Sequence, residues 1–212
     1  MSQTTARATD AQTDLGIQCQ DVESPKENLK FGIELIQHGA GYGVAWTSSS
    51  IVAPDHAFLA IRLGDEEKAR HKTESPGGRR SELLHEWGAG YRLGYLARSF
   101  AGVDTEFVVT PASSSSGGTE TGSREFFCQI RLGMNQHERA RVSWKSNLPF
   151  RPRESRLKVY RQDEEVYADW VGGANGHFET DVPWGVGLSA VLIGEDFQGQ
   201  TQDLARTPRT RR

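Results

Sequence analysis

Apolar and polar residues alternate along most of this chain. From Leu29, the apolar Phe31, Ile33 and Leu35 are interleaved with Lys30, Gly32 and Glu34. A period of two buries one face of a strand and leaves the other wet. The glycine-rich run 38–43 predicts a turn, and Tyr42, Val44 and Trp46 then resume the alternation, so a hairpin is expected. Ala57, Leu59, Ile61 and Leu63 predict another strand, and 91–100 and 105–109 two more. Further on, Phe126, Cys128, Ile130 and Leu132 share a face. Residues 133–136 turn the chain, and Ala140, Val142 and Trp144 return it with Arg139, Arg141, Ser143 and Lys145 opposite. Leu157 and Val159 alternate with Arg156, Lys158 and Tyr160. Val186, Leu188, Ala190 and Leu192 close the series. Residues 81–87 fit a helical turn or a strand.

Many short strands separated by Pro, Asn and Gly predict an all-β fold, a single β-sandwich of two packed sheets with short helical segments. Residues 28–195 are the expected sandwich domain, with flexible loops near 64–80 and 111–123. Residues 1–27 are polar and expected to be disordered. Residues 196–212, with Arg206, Arg209, Arg211 and Arg212, are expected to be a disordered basic tail. No internal repeat of fixed period is visible.

Composition narrows the function classes. The net charge of -3 gives no global attraction to nucleic acid, so no nucleic-acid partner is expected. With 2 cysteines, Cys19 in a polar leader and Cys128 on an apolar face, neither a disulfide framework nor a zinc site is expected. No apolar run is long enough to span a bilayer, and residues 1–14 lack the apolar core of a classical secretion signal. The histidines are scattered without metal-ligand spacing, and neither a nucleophile elbow nor a nucleotide loop is present. The expectation is therefore no catalytic residues, no metal and no cofactor.

Aromatic residues crowd the punctuation of the last third: Phe150, Tyr160, Tyr167, Trp170, Phe178 and Trp184. Over 121–194 the order of features resembles the actinoporins, the β-sandwich pore-forming cytolysins. Thr121-Gly122 leads the apolar strand 126–132, and 139–144 is similar to the family's next strand. Pro149 and Phe150 stand where that family carries an aromatic-rich loop. Leu157-Lys158-Val159-Tyr160 resembles its strand ending in Tyr, and Tyr167 and Trp170 stand near its tyrosine cluster. Asn175-Gly176 and Pro183-Trp184-Gly185-Val186 resemble its Asn-Gly turn and its Gly-Tyr-Gly-Leu segment. Residues 66–120 would then contain an insertion.

The resemblance implies an actinoporin-like cytolysin that binds membrane lipid headgroups of the phosphocholine or sphingomyelin type, forms a homo-oligomer on the bilayer and permeabilises it. It implies a headgroup site near Ser143, Phe150, Arg151, Arg153, Tyr160, Tyr167 and Trp170. Ring faces attract a quaternary ammonium, and arginines bind the phosphate. Phe150, between Pro149 and Arg151, reads as the exposed membrane-touching ring, whereas Trp184 fits either the core or the rim. Release by a non-classical route, or residence in the cytoplasm until release, with peripheral attachment to membranes, goes with this reading. The family's pore helix needs an apolar face, and residues 1–26 offer little beyond Leu15, Ile17 and Val22. Mushroom fruit-body lectins share the fold, so a glycan-binding, lectin-like module is the alternative, with Trp170, Asp169 and Asn175 able to serve a sugar.

Overall fold

The alternating runs become strands. A computed structural model of the chain describes residues 19–82 and 87–212. Its strands are β1 (Val22–Glu23), β2 (Glu27–His38), β3 (Gly41–Ser48), β4 (Phe58–Leu63), β5 (Glu66–Lys72), β6 (Gly77–Glu82), β7 (Tyr91–Arg98), β8 (Asp104–Val109), β9 (Thr119–Met134), β10 (Arg139–Ser146), β11 (Arg156–Arg161), β12 (Glu164–Trp170), β13 (Gly176–Pro183), β14 (Leu188–Glu195) and β15 (Thr201–Arg206). A 7-stranded sheet runs β13-β10-β9-β2-β3-β6, with β1 beside β9. Two 4-stranded sheets, β5-β4-β7-β8 and β12-β11-β14-β15, lie over it. All pairings are antiparallel.

That strand order is a duplication. In the first half, β2, β3 and β6 face β5-β4-β7-β8; in the second, β9, β10 and β13 face β12-β11-β14-β15, in the same sequential roles. Each half thus has the seven antiparallel strands in two facing sheets that immunoglobulin-like sandwiches share. The residues agree at a spacing of 97 or 98. Trp46 matches Trp144, Ser48 matches Ser146, Pro54 matches Pro152, and Asp65-Glu66-Glu67 matches Asp163-Glu164-Glu165. Trp87-Gly88 matches Trp184-Gly185, Gly102 matches Gly199, and Thr110-Pro111 matches Thr207-Pro208. Backbone detail repeats too: φ is 79° at Gly102 and 80° at Gly199, 51° at His56 and 50° at Glu154.

A pseudo-twofold axis relates the halves. It passes between β2 and β9, which pair from Glu27↔Cys128 to Ile36↔Thr119, and through the bridge Pro54↔Pro152. Around that bridge the backbone bonds come in matched pairs. Ala53 N–H donates to Glu195 O at 2.8 Å and Arg151 N–H to Arg98 O at 2.7 Å. Asp55 N–H donates to Arg151 O at 2.9 Å and Arg153 N–H to Ala53 O at 2.8 Å.

The two halves share a core. Phe31, Tyr95 and Phe107 from the first meet Phe126 and Phe150 from the second, with ring centroids 4.7 to 5.9 Å apart among the contacting pairs. Such ring pairs contribute about 0.5–1.5 kcal/mol each beyond their buried area.

Several expectations are corrected. The chain is two sandwiches sharing a sheet rather than one sandwich of two sheets, and no helix occurs among the described residues. The expected loop 64–80 holds β5 and β6, and the loop 111–123 ends within β9. β5 and β6 are edge strands rich in charge, a composition that discourages unwanted pairing and erases the apolar alternation. The expected basic tail contains β15, and Thr210 beyond it is 1% exposed. There the Thr207 and Thr210 hydroxyls accept the Ala190 and Leu188 N–H groups, both at 2.9 Å. Thr110 and Ser113 do the same for Leu93 and Tyr91, both at 3.0 Å. At the other end β1 already belongs to the shared sheet; the remainder of the expected disordered segment, 1–18, lies outside the described residues, as do 83–86 of the undecided 81–87.

One repeated contact can be tested directly. Trp46 and Trp144 each lie flat across a glycine on the neighbouring strand, Gly78 and Gly176, so a Cβ at either glycine would run into the indole. Gly78→Ala and Gly176→Ala should each cost about 1–3 kcal/mol, as overpacking does. Urea unfolding of the two variants measures this, and similar losses at the two sites are expected.

Candidate functional site

The residues expected to form a headgroup site do not meet. Phe150 is 0% exposed and packs against Phe31 and Phe107 with centroids 5.3 and 4.8 Å away, so it is a core ring and not a membrane-touching one. Tyr167 and Trp170 lie on opposite faces of the second cover sheet, because their partners in register are Val159 and Arg156, three residues apart on β11. Tyr167 turns inward, 6.2 Å from the Phe178 ring, and donates to Asp169 Oδ2 at 3.2 Å. Burial, reinforced by Asp169, holds its phenol above the usual pKa. Trp170 is exposed, with the Arg156 guanidinium 3.9 Å from its ring centre. Tyr160 lies on that same outer face, near Arg206 at 5.6 Å.

Arg151 is ion-paired to Asp55 beside the pseudo-twofold axis. Arg153 bonds through its backbone to Ala53. Ser143 is on the outer face of the shared sheet, across the sandwich from Trp170. Trp184, which fitted core or rim, packs against the core. The expected cup of rings is therefore corrected to a dispersed set, because a two-residue period places neighbouring aromatics on opposite faces.

A different concavity does assemble. β10 buries Val142 and Trp144 and turns Arg141, Ser143 and Lys145 outward. These three, with Gln129 and Arg131 of β9, Glu23 of β1, and Asn175, Gly176 and His177, line an open groove of about 480 Å³ on the outer face of the shared sheet. Its lip is fixed from behind. Trp144 Nε1–H donates to Gly173 O at 2.9 Å, and Asn175 Oδ1 accepts the Ser146 N–H at 3.0 Å. Two of its cations are matched by carboxylates: Arg131 pairs with Asp21 at 2.8 Å and Arg141 with Glu179 at 3.1 Å. The groove is thus a floor of mixed donors and acceptors, with Lys145 standing beside two ion pairs.

The first half has its own groove at the equivalent place, about 610 Å³. Trp46 and Gly78 stand there for Trp144 and Gly176, and Trp46 Nε1–H reaches Ser75 O at 3.0 Å as Trp144 reaches Gly173. The outward residues have changed. Gly32 replaces Gln129, Ala45 replaces Ser143, Thr47 replaces Lys145, and Arg79 replaces His177.

The sequence reading named Ser143 through the resemblance, for a lipid headgroup, and Asn175 for a sugar. It missed Gln129, Arg141, Lys145 and His177 because outward polar positions of a strand carry no pattern beyond exposure. Two Trp residues each followed two residues later by Ser, 98 positions apart, were the available signal.

Among the described residues no group of three His, Cys, Asp or Glu side chains is placed to hold a metal ion, and no helix is long and apolar enough to cross a membrane. No protein-family model, curated protein or solved structure matches this chain.

Two measurements check these placements. Phe150→Ala should cost about 3–5 kcal/mol in urea unfolding, the usual loss for a buried ring; an unchanged midpoint would contradict its core position. Burial pushes the Cys128 thiol up to about 12, leaving almost no thiolate near neutral pH, while Cys19 is only half-buried. A thiol reagent at pH 8 should therefore label Cys19 first and reach Cys128 only on addition of denaturant.

Proposed function

We propose that this chain is a non-catalytic, lectin-like protein that binds glycans through the groove of its second half. The observation that carries the reading is the mixed set of donors and acceptors at Gln129, Arg141, Ser143, Lys145, Asn175 and His177 on an open sheet face, with Gln129, Arg141 and Asn175 held by bonds to Ser24, Glu179 and Ser146. A sugar hydroxyl both donates and accepts, so mixed polar groups on an open floor suit it. Phosphocholine asks for something else: a cage of exposed ring faces beside uncommitted arginines. With Phe150 buried, Arg151 ion-paired and Trp170 already under Arg156, little of that cage remains.

The lipid-headgroup and pore-forming reading therefore stands second. Its favourable observation is Trp170, 51% exposed beside Arg156 on the far side of the molecule.

A glycan array with the full chain, followed by titration of its best ligand, tests the proposal. Lys145→Ala with His177→Ala should weaken binding about tenfold or more, since a hydrogen bond from a charged group is worth about 1.5–3 kcal/mol. Sedimentation with sphingomyelin vesicles is the second arm. Binding to vesicles that is lost in Trp170→Ala, with no glycan retained on the array, would reverse the ranking of the two readings.

A further inference from the structure

We propose that the groove of the first half is a second saccharide site, and that it takes the acetamido group of an N-acetylhexosamine. This rests on the sugar-binding reading above and extends it to a site of different chemistry. The pseudo-twofold axis places both grooves on the same outer face of the shared sheet, behind equivalent tryptophans. Duplication alone would make them alike, yet the floor residues are smaller in the first groove, while charge stays at its walls. The first groove has lost an amide, a hydroxyl and an ammonium at Gly32, Ala45 and Thr47 and is the larger of the two.

Its floor is of a size and polarity that suit a methyl group. Gly32 exposes backbone, with the Thr47 methyl 3.1 Å from where its Cβ would lie, and Ala45 adds a second methyl beside it. The surround is not apolar. Lys30, Glu34 and Arg79 stand at the walls, with Thr121 and Ser123 on the β9 side. An acetamide presents these features together: a small apolar methyl, an N–H for the Glu34 carboxylate and a carbonyl oxygen for Arg79 or Lys30. A phosphate would meet Glu34 at close quarters, and a plain hydroxyl would leave the methyl-lined floor unfilled.

Chitotriose and cellotriose share one backbone and differ in the acetamido groups, so isothermal titration of the full chain with both is the experiment. Chitotriose should bind about tenfold more tightly, the scale on which a pocket discriminates a small apolar group. Ser123→Arg lays a long side chain over the floor from an exposed position. It should bring chitotriose to within about twofold of cellotriose, with an unchanged melting temperature as the check on folding. Lys145→Ala with His177→Ala should leave the preference intact while weakening cellotriose.

Equal affinity for the two sugars in the unaltered chain, or a preference that survives Ser123→Arg, overturns the proposal. If cellotriose binding is nonetheless lost on altering Lys145 and His177, the second-half site stands and only this inference falls. If neither trisaccharide binds and the glycan array is blank, both fall together.

Discussion

The seam between β2 and β9 is what the rest of the molecule depends on. These two strands are the first of each half, and their ladder from Glu27↔Cys128 to Ile36↔Thr119 turns two three-stranded layers into one sheet. Without it each half would expose a long unpaired edge at its centre, an invitation to aggregate. The seam also fixes the cover sheets. Both lie on the same face, and they are stapled to each other around Pro54 and Pro152. The five-ring cluster of Phe31, Tyr95, Phe107, Phe126 and Phe150 then fills the space beneath the joint. Backbone pairing and ring packing thus lock the halves at two levels.

The same joint creates the outer face. In a sandwich half with only three strands on that side, an outward groove would be short and close to an edge. Joined, the strands give a continuous floor on which each groove is walled partly by the opposite half: Thr121 and Ser123 serve the first groove, Glu23 serves the second. Tryptophan anchors the pattern in both. Its ring occupies the volume that a side chain at Gly78 or Gly176 would take, and its indole N–H holds the loop before that strand. The loop in turn sets the groove's lip.

The alternating strands were legible because one buried face leaves a period of two. β2, β3, β4, β7, β9, β10, β11 and β14 all announce themselves through residues such as Phe31, Val44, Leu59 and Ile130. The strands that sequence reading took for loops or a tail are β5, β6 and β15, all of them sheet edges, where charge on one or both faces hides the period. The duplication was written in the chain but thinly. Its identical positions are mainly turn glycines, the Trp-x-Ser pairs and the Asp-Glu-Glu hairpin tips, and the spacing slips by one residue between them. Of the groove's residues only Ser143 and Asn175 were named from the sequence, the first for a lipid headgroup and the second for a sugar. Aromatic content drew attention to Phe150 and Trp170, yet nothing local tells a core ring from a surface one when the deciding neighbours, Phe31 and Phe107, come from the other half of the chain.

The axis through the seam has a consequence for anything long that lies on the outer face. A rotation of half a turn reverses the sense in which each groove is oriented, so a chain with distinguishable ends crossing both would meet one head first and the other tail first. Two grooves arranged in this way cannot present the same orientation to one directional polymer twice. Only separate chains running opposite ways would meet them alike, and each groove is then free to drift towards its own chemistry.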